Sequence, residues 1–115
     1  MDQIERLQRE LRKFVDERDW SQFHSGKDLA ISLSLEASEV LELFQWQPDD
    51  LPTADEPDKR HELEDELSDV FYWLLMLADR YQVDLPSALD AKLEKNRAKY
   101  PIEKARGVSK KYTKL

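Results

Sequence analysis

Apolar residues return every three or four positions along most of this 115-residue chain, and that period belongs to amphipathic helices. Ile4, Leu7, Leu11, Phe14 and Val15 set a first stripe, and Leu33, Ala37, Val40, Leu41 and Phe44 a second. Leu63, Leu67, Val70, Leu74, Leu77 and Ala78 set a third, and Ala88, Leu89, Ala91 and Leu93 a fourth. Only two glycines occur, too few for a turn-rich β fold or a Gly-rich phosphate loop. The expectation is an all-α chain in which any nucleotide is held by side chains and metal.

The spacing predicts helices over about 2–19, 27–45, 58–81 and 85–99. Asp2 and Asp84 are placed to cap the first and last. Ser25 and Asp28 form a capping box with the shorter acid, and Pro86 suits a helix start. Between the first two helices lies an aromatic connection, Trp20 to Gly26. The stretch from Trp46 to Pro57 holds three prolines and reads as an exposed linker. The second helix is apolar on more than one side, so homo-oligomerisation is the economical way to cover it.

The length suits one domain, expected over 1–107. Beyond Gly107 the chain reads as a frayed, basic, solubilising tail over 108–115. No cysteine is present, which removes disulfide and thiolate chemistry. Neither a signal-peptide pattern nor an apolar run of about 20 residues is visible, and the expected location is cytoplasmic. A net charge of -7 disfavours stable nucleic-acid binding. The charge is uneven: acids crowd residues 49–69, while Lys104, Arg106, Lys110, Lys111 and Lys114 make a basic end suited to triphosphates or a neighbouring subunit's acids.

The chemistry-bearing feature is a repeated acidic pair. Glu36 and Glu39 stand three apart, as do Glu66 and Asp69, and each pair shares a helix face beside an apolar stripe. An isolated pair is usually a solvated face. Two pairs on facing helices can surround a divalent cation, and Mg²⁺ takes such oxygen ligands while keeping waters for phosphates to displace. Trp20, Phe23 and His24 can stack on a nucleobase or plug the core, and Trp46 has the same two readings. Lys92 and Asn96, four apart, can meet phosphate or sugar, or form an ordinary helix surface.

Several segments together resemble the all-α nucleoside triphosphate pyrophosphohydrolases of the MazG type, most closely the short dCTP pyrophosphatase branch. They are residues 17–24, 36–46, 64–70, 83–86 and 92–101, in order and correctly spaced. The resemblance implies an antiparallel four-helix bundle that assembles as a homodimer or homotetramer, with sites completed between subunits. It implies Mg²⁺, with Mn²⁺ as a substitute, on Glu36, Glu39, Glu66 and Asp69, which form the catalytic set. Trp20, His24, Trp46 and Trp73 fall near the base pocket, and Lys92, Asn96, Arg97 and Tyr100 on the sugar and phosphate signature. The implied activity is hydrolysis of a (deoxy)nucleoside triphosphate to monophosphate and pyrophosphate, for dCTP or modified nucleotides. Alternatives are a non-catalytic nucleotide-binding regulator and action on another nucleotide such as phosphoribosyl-ATP. Leu35 replaces a second Glu common in the wider family, Lys27 and Asp28 replace an Arg-Asn pair, and Leu11 replaces a His near the base.

Overall fold

The structure, a computed structural model, describes residues 2–115, and among these every regular element is helical. Helix α1 spans Gln3–Asp16. Its cap is the expected one: the Glu5 backbone N–H donates to Asp2 Oδ1 at 2.8 Å, satisfying one of the orphan amides of a helix start. The helix stops at Asp16, short of the expected end. Asp19 turns into the left-handed region at φ 54°. The Trp20 N–H then reaches back to the Val15 carbonyl and the Asp19 N–H to that of Asp16, both at 3.1 Å, which is a Schellman closure with Asp in the usual glycine position.

A 3-10 turn, Ser21–Phe23, leads into α2, Gly26–Phe44. Ser25 caps α2 by accepting the Asp28 N–H at 3.1 Å, and its hydroxyl donates to the Asp28 carboxylate at 2.7 Å. Gly26 lets the hydroxyl end of the exposed Tyr81 side chain lie close against the start of α2, and a Cβ there would make that ring shift. Helix α3, Pro57–Arg80, starts on the third proline of the linker, where a missing N–H costs nothing. Helix α4 is Leu85–Lys99, capped by Asp84 through the Ser87 N–H at 3.1 Å. A short α5, Ile102–Ala105, and a 3-10 turn, Tyr112–Lys114, follow.

The chain divides into two compact units at Gln82/Val83. In the first, α2 and α3 run antiparallel. Arg80 Nη1, at the end of α3, donates to the His24 carbonyl at 3.2 Å just before α2 begins, while Glu36 and Glu39 meet Glu66 and Asp69 further along. Helix α1 runs parallel to α3: Gln8 Nε2 donates to the Leu75 carbonyl at 3.1 Å and Arg12 pairs with Asp79 at 2.6 Å, both across 67 residues of sequence. Val15, Leu29, Leu75 and Ala78 form the buried core, so each of the three helices contributes. Much apolar surface stays open, including Ile31, Leu35 and Leu41 on α2 and Leu67, Phe71 and Leu74 on α3, with Leu41 70% exposed.

In the second unit the end of the chain departs from the frayed tail expected. Gly107 takes φ 72° and the Val108 N–H returns to the Ala105 carbonyl at 3.0 Å. Tyr112 then packs edge-to-face on Tyr100 with ring centroids 6.0 Å apart. No helix among the described residues is long and apolar enough to cross a membrane.

Candidate metal and nucleotide site

Glu36 and Glu39 lie a turn apart on α2, Glu66 and Asp69 a turn apart on α3, and antiparallel packing brings the pairs face to face. One carboxylate oxygen from each falls within 4.8 Å of all the others. The sequence sets this up simply: Val40 and Val70 are half-buried beside the acids, so the apolar stripes that drive the helices together carry the carboxylates with them.

The electrostatics are unresolved by protein alone. None of the four acids makes an ion pair with Lys, Arg or His among the described residues. Glu36 Oε2 and Glu66 Oε2 are buried without a hydrogen-bond partner. A hydrogen bond to Glu39, then burial, then the charges of Glu39, Asp69 and Glu66 push the Glu36 carboxyl up to about 7. The same hydrogen bond first, then burial and the charges of Glu39, Asp69 and Asp65, raise Glu66. Both shifts have the same origin, carboxylates crowded together where burial and mutual repulsion disfavour the charged form. Orphaned oxygens, four hard donors and no competing protein cation fit a divalent ion of the Mg²⁺ type.

Beside the acids runs a chain of rings. Trp73 sits one turn beyond Asp69 on α3. It meets His24 at 5.5 Å and Tyr72 at 4.8 Å between centroids. Tyr72 meets Phe14 at 6.4 Å, and Phe14 meets Trp20 at 5.9 Å, all edge-to-face. The Arg18 guanidinium covers Phe14 at 3.9 Å. Burial raises the Tyr72 hydroxyl pKa, offset in part by the Arg18 charge. A cavity of about 240 Å³ opens by the same loop, lined by Arg12, Ser21, His24, Met76, Asp79 and Arg80. His24 Nδ1 is buried with no partner.

Of the aromatic residues singled out in the sequence, Trp20, His24 and Trp73 are thus joined in one network. Trp46 is not: it lies past the end of α2, 85% exposed, and takes part in no ring contact among the described residues. Phe14, Arg18 and Tyr72 were missed by the sequence reading. Phe14 is indistinguishable there from a core residue of the α1 stripe, and the only available signal was Tyr72 directly preceding Trp73. In the second unit, Lys92 and Asn96 stand four residues apart on one side of α4, and Tyr100, four further on, is the residue that ends the helix. Arg97 is paired with Glu94, one turn back, and the Tyr100 N–H donates to the Asn96 carbonyl at 2.8 Å.

An all-α chain with four convergent carboxylates on two antiparallel helices defines a class, and comparison with known proteins supplies its family. Residues 31–115 match the MazG-like family, and the chain belongs to it. It is 44% identical over 114 residues to dCTP pyrophosphatase 1 of Bos taurus, covering 97% of this chain and 68% of that protein. The Homo sapiens dCTP pyrophosphatase 1 shows the same identity, with 67% of that protein covered. Among solved structures, a pyrophosphatase from Archaeoglobus fulgidus DSM 4304 is similar with a TM-score of 0.76 and 37% identity, covering 88% of this chain and 94% of that one.

Proposed function

We propose that this chain is a nucleoside triphosphate pyrophosphohydrolase that uses Mg²⁺, or Mn²⁺ in its place, to release pyrophosphate from a deoxynucleotide, with dCTP the first candidate. The observation that carries this reading is the unpaired four-carboxylate cluster. The similarity to dCTP pyrophosphatases and to a solved pyrophosphatase supports it.

In the reaction, one water adds across the α–β phosphoanhydride bond, giving monophosphate and pyrophosphate. Glu36, Glu39, Glu66 and Asp69 hold the ion, which when bound supplies positive charge to the phosphate oxygens and lowers the pKa of a bound water. Glu39 or Glu36, a turn apart with carboxylate oxygens within 4.8 Å of each other, takes the proton from the attacking water. Trp73 and Trp20 offer ring surfaces to the base, and His24 Nδ1 offers a desolvated hydrogen-bonding atom to its edge. Trp46, exposed and outside the ring network, is assigned to a further wall of the base pocket on the family resemblance alone. Lys92, Asn96, Arg97 and Tyr100 are assigned to sugar and phosphates, with Lys92 and Arg97 offsetting charge on the leaving pyrophosphate.

The working form is a homo-oligomer, dimer or tetramer, of four-helix bundles. Ile31, Leu35, Leu41, Leu67 and Phe71 are all exposed on helices of a unit whose buried apolar residues, among those described, are Val15, Leu29, Leu75 and Ala78. Covering the exposed part of each such side chain is worth about 1–2 kcal/mol, so a second copy is the natural partner.

The test is purified protein with Mg²⁺ against the natural ribo- and deoxynucleoside triphosphates and 5-methyl-dCTP, with products separated by ion-exchange chromatography. Monophosphate and pyrophosphate in equal amounts, abolished by EDTA, are expected. Orthophosphate release, or no turnover of any nucleotide, would refute the reading.

A further inference from the structure

Residues 83–115 carry nine Lys or Arg against four Asp or Glu, and five of the nine lie beyond Pro101. A freely fraying tail would spread that charge through solvent, but this one is built back onto the helix it follows. The reversal begins at Gly107, whose φ of 72° suits glycine and strains other residues. The chain returns to the end of α4, where Tyr112 meets the Tyr100 ring at 6.0 Å and Lys99 Nζ lies 4.9 Å from the Tyr112 centroid. Edge-to-face ring contact and a cation over a ring face are both attractive, so the two contacts pin the same side chain. The Lys114 N–H closes a tight turn on the Lys111 carbonyl at 2.8 Å, holding the residues on either side of Tyr112 in place.

Lys110, Lys111 and Lys114 lie within two residues of Tyr112, so their Cα atoms fall within about 8 Å of its own. They are held at the end of α4 by the contact that Tyr112 makes with Tyr100, and Tyr100 closes the row of Lys92, Asn96 and Tyr100.

We propose that residues 108–115 are a docked cationic arm, with Tyr112 as the positioning residue that sets Lys110 and Lys111 beside the polar row of α4 to bind the polyphosphate of the substrate. The ligand class is a chain of two or three linked phosphates, on a nucleoside or free. This rests on the assignment of the α4 row to phosphates made above, and it adds the arm and its pin. The docked ring holds the lysines near the row before ligand arrives, so less ordering cost falls on binding. Phosphate oxygens are the matching acceptors for ammonium groups.

The experiment is calorimetric titration of the full chain with inorganic triphosphate in Mg²⁺, alongside steady-state kinetics on the best nucleotide and size-exclusion chromatography. Tyr112→Ala and the double variant Lys110→Ala/Lys111→Ala are each expected to weaken triphosphate binding and raise KM by about fivefold, the upper end for partly exposed charge contacts. The change in kcat should stay within about twofold, because the role assigned to the arm is to hold charge for binding and not to move a proton. Tyr112→Phe keeps the ring and should restore wild-type binding. Unchanged triphosphate affinity in Tyr112→Ala overturns the proposal, as does an altered oligomeric state with affinity intact. Should the wild-type protein turn over no nucleotide while the arm variants still weaken triphosphate binding, the enzymatic reading fails and the arm stands.

Discussion

Glu62 and Glu64 on α3 are each met by a cation one turn away, Lys59 at 3.7 Å and Arg60 at 3.0 Å. Further along the same helix Asp79 is met by Arg12 of α1 at 2.6 Å. Between them Glu66 and Asp69 face the acids of α2 and make no ion pair among the described residues. Composition cannot explain the difference, because cations lie on the same helix within a turn or two. Position explains it. Glu62 and Glu64 stand on the outer part of α3 with water to share their charge, whereas Glu66 and Glu36 are half-buried where two helices close on each other. An acid left unmatched in such a place is costly, and a folded protein retains that cost where a ligand relieves it.

The sharpest way to break the comparison is to neutralise acids of each kind. Glu39→Gln and Asp69→Asn should fold normally and lose turnover by on the order of a hundred- to a thousandfold. Glu62→Gln and Glu64→Gln should stay within about twofold in a parallel assay. Equal losses in both groups would remove the distinction.

Next in size is the paired acid. Asp79→Asn removes the partner of Arg12 where the carboxylate is only 18% exposed. It should cost about 1 kcal/mol, or roughly 4–8 °C in Tm. Its kcat should be unchanged. A melting curve that overlays the wild type would show the pair to be idle.

The cluster should make metal-free stability depend on pH with a definite sign. Glu36 holds its proton to about 7 in the folded chain against 4.5 for the ordinary group. Between these values the folded state binds more protons than the unfolded one, so stability falls as pH rises. Thermal melts in EDTA should therefore drop by several degrees from pH 4.5 to pH 7. Saturating Mg²⁺ should remove most of that slope, since the ion replaces the shared proton. Glu36→Gln should flatten it in EDTA.

The smallest effect concerns a residue outside both regions. Gln82 sits at φ 53° beyond the end of α3, where glycine is unstrained. Gln82→Gly should change stability by no more than about 1 kcal/mol in either direction, because relief of strain is offset by the entropy of glycine and the lost Nε2 bond to the Asp79 carbonyl. Urea unfolding would read it.

What was legible in the sequence was local. Asp2, Ser25 and Asp84 cap the helices they were expected to cap, because a cap needs only a side chain three residues from its amide. The acidic pairs were legible for a similar reason, as three-residue spacing fixes a shared face. What brought the two pairs together was inter-helix packing, which the residues alone suggested and the family resemblance made specific. Where α1 ends was misjudged because it turns on Asp19 entering a conformation more often taken by glycine or asparagine. The tail was misjudged for a different reason. Its order depends on Tyr112 finding Tyr100 twelve positions earlier, and a pair at that distance leaves no periodic trace. Phe14 and Tyr72 joined the ring chain unannounced, since a stripe predicts that a residue faces inward but not which ring it meets.

The most direct test of the central claim is calorimetric titration of Mn²⁺ into Glu66→Gln and Glu64→Gln, two variants of neighbouring acids on one helix with the same chemical change. The account predicts that Glu64→Gln binds Mn²⁺ like the wild type and that Glu66→Gln weakens it by at least about tenfold. Matching affinities in the two variants, or a loss in Glu64→Gln alone, would contradict it.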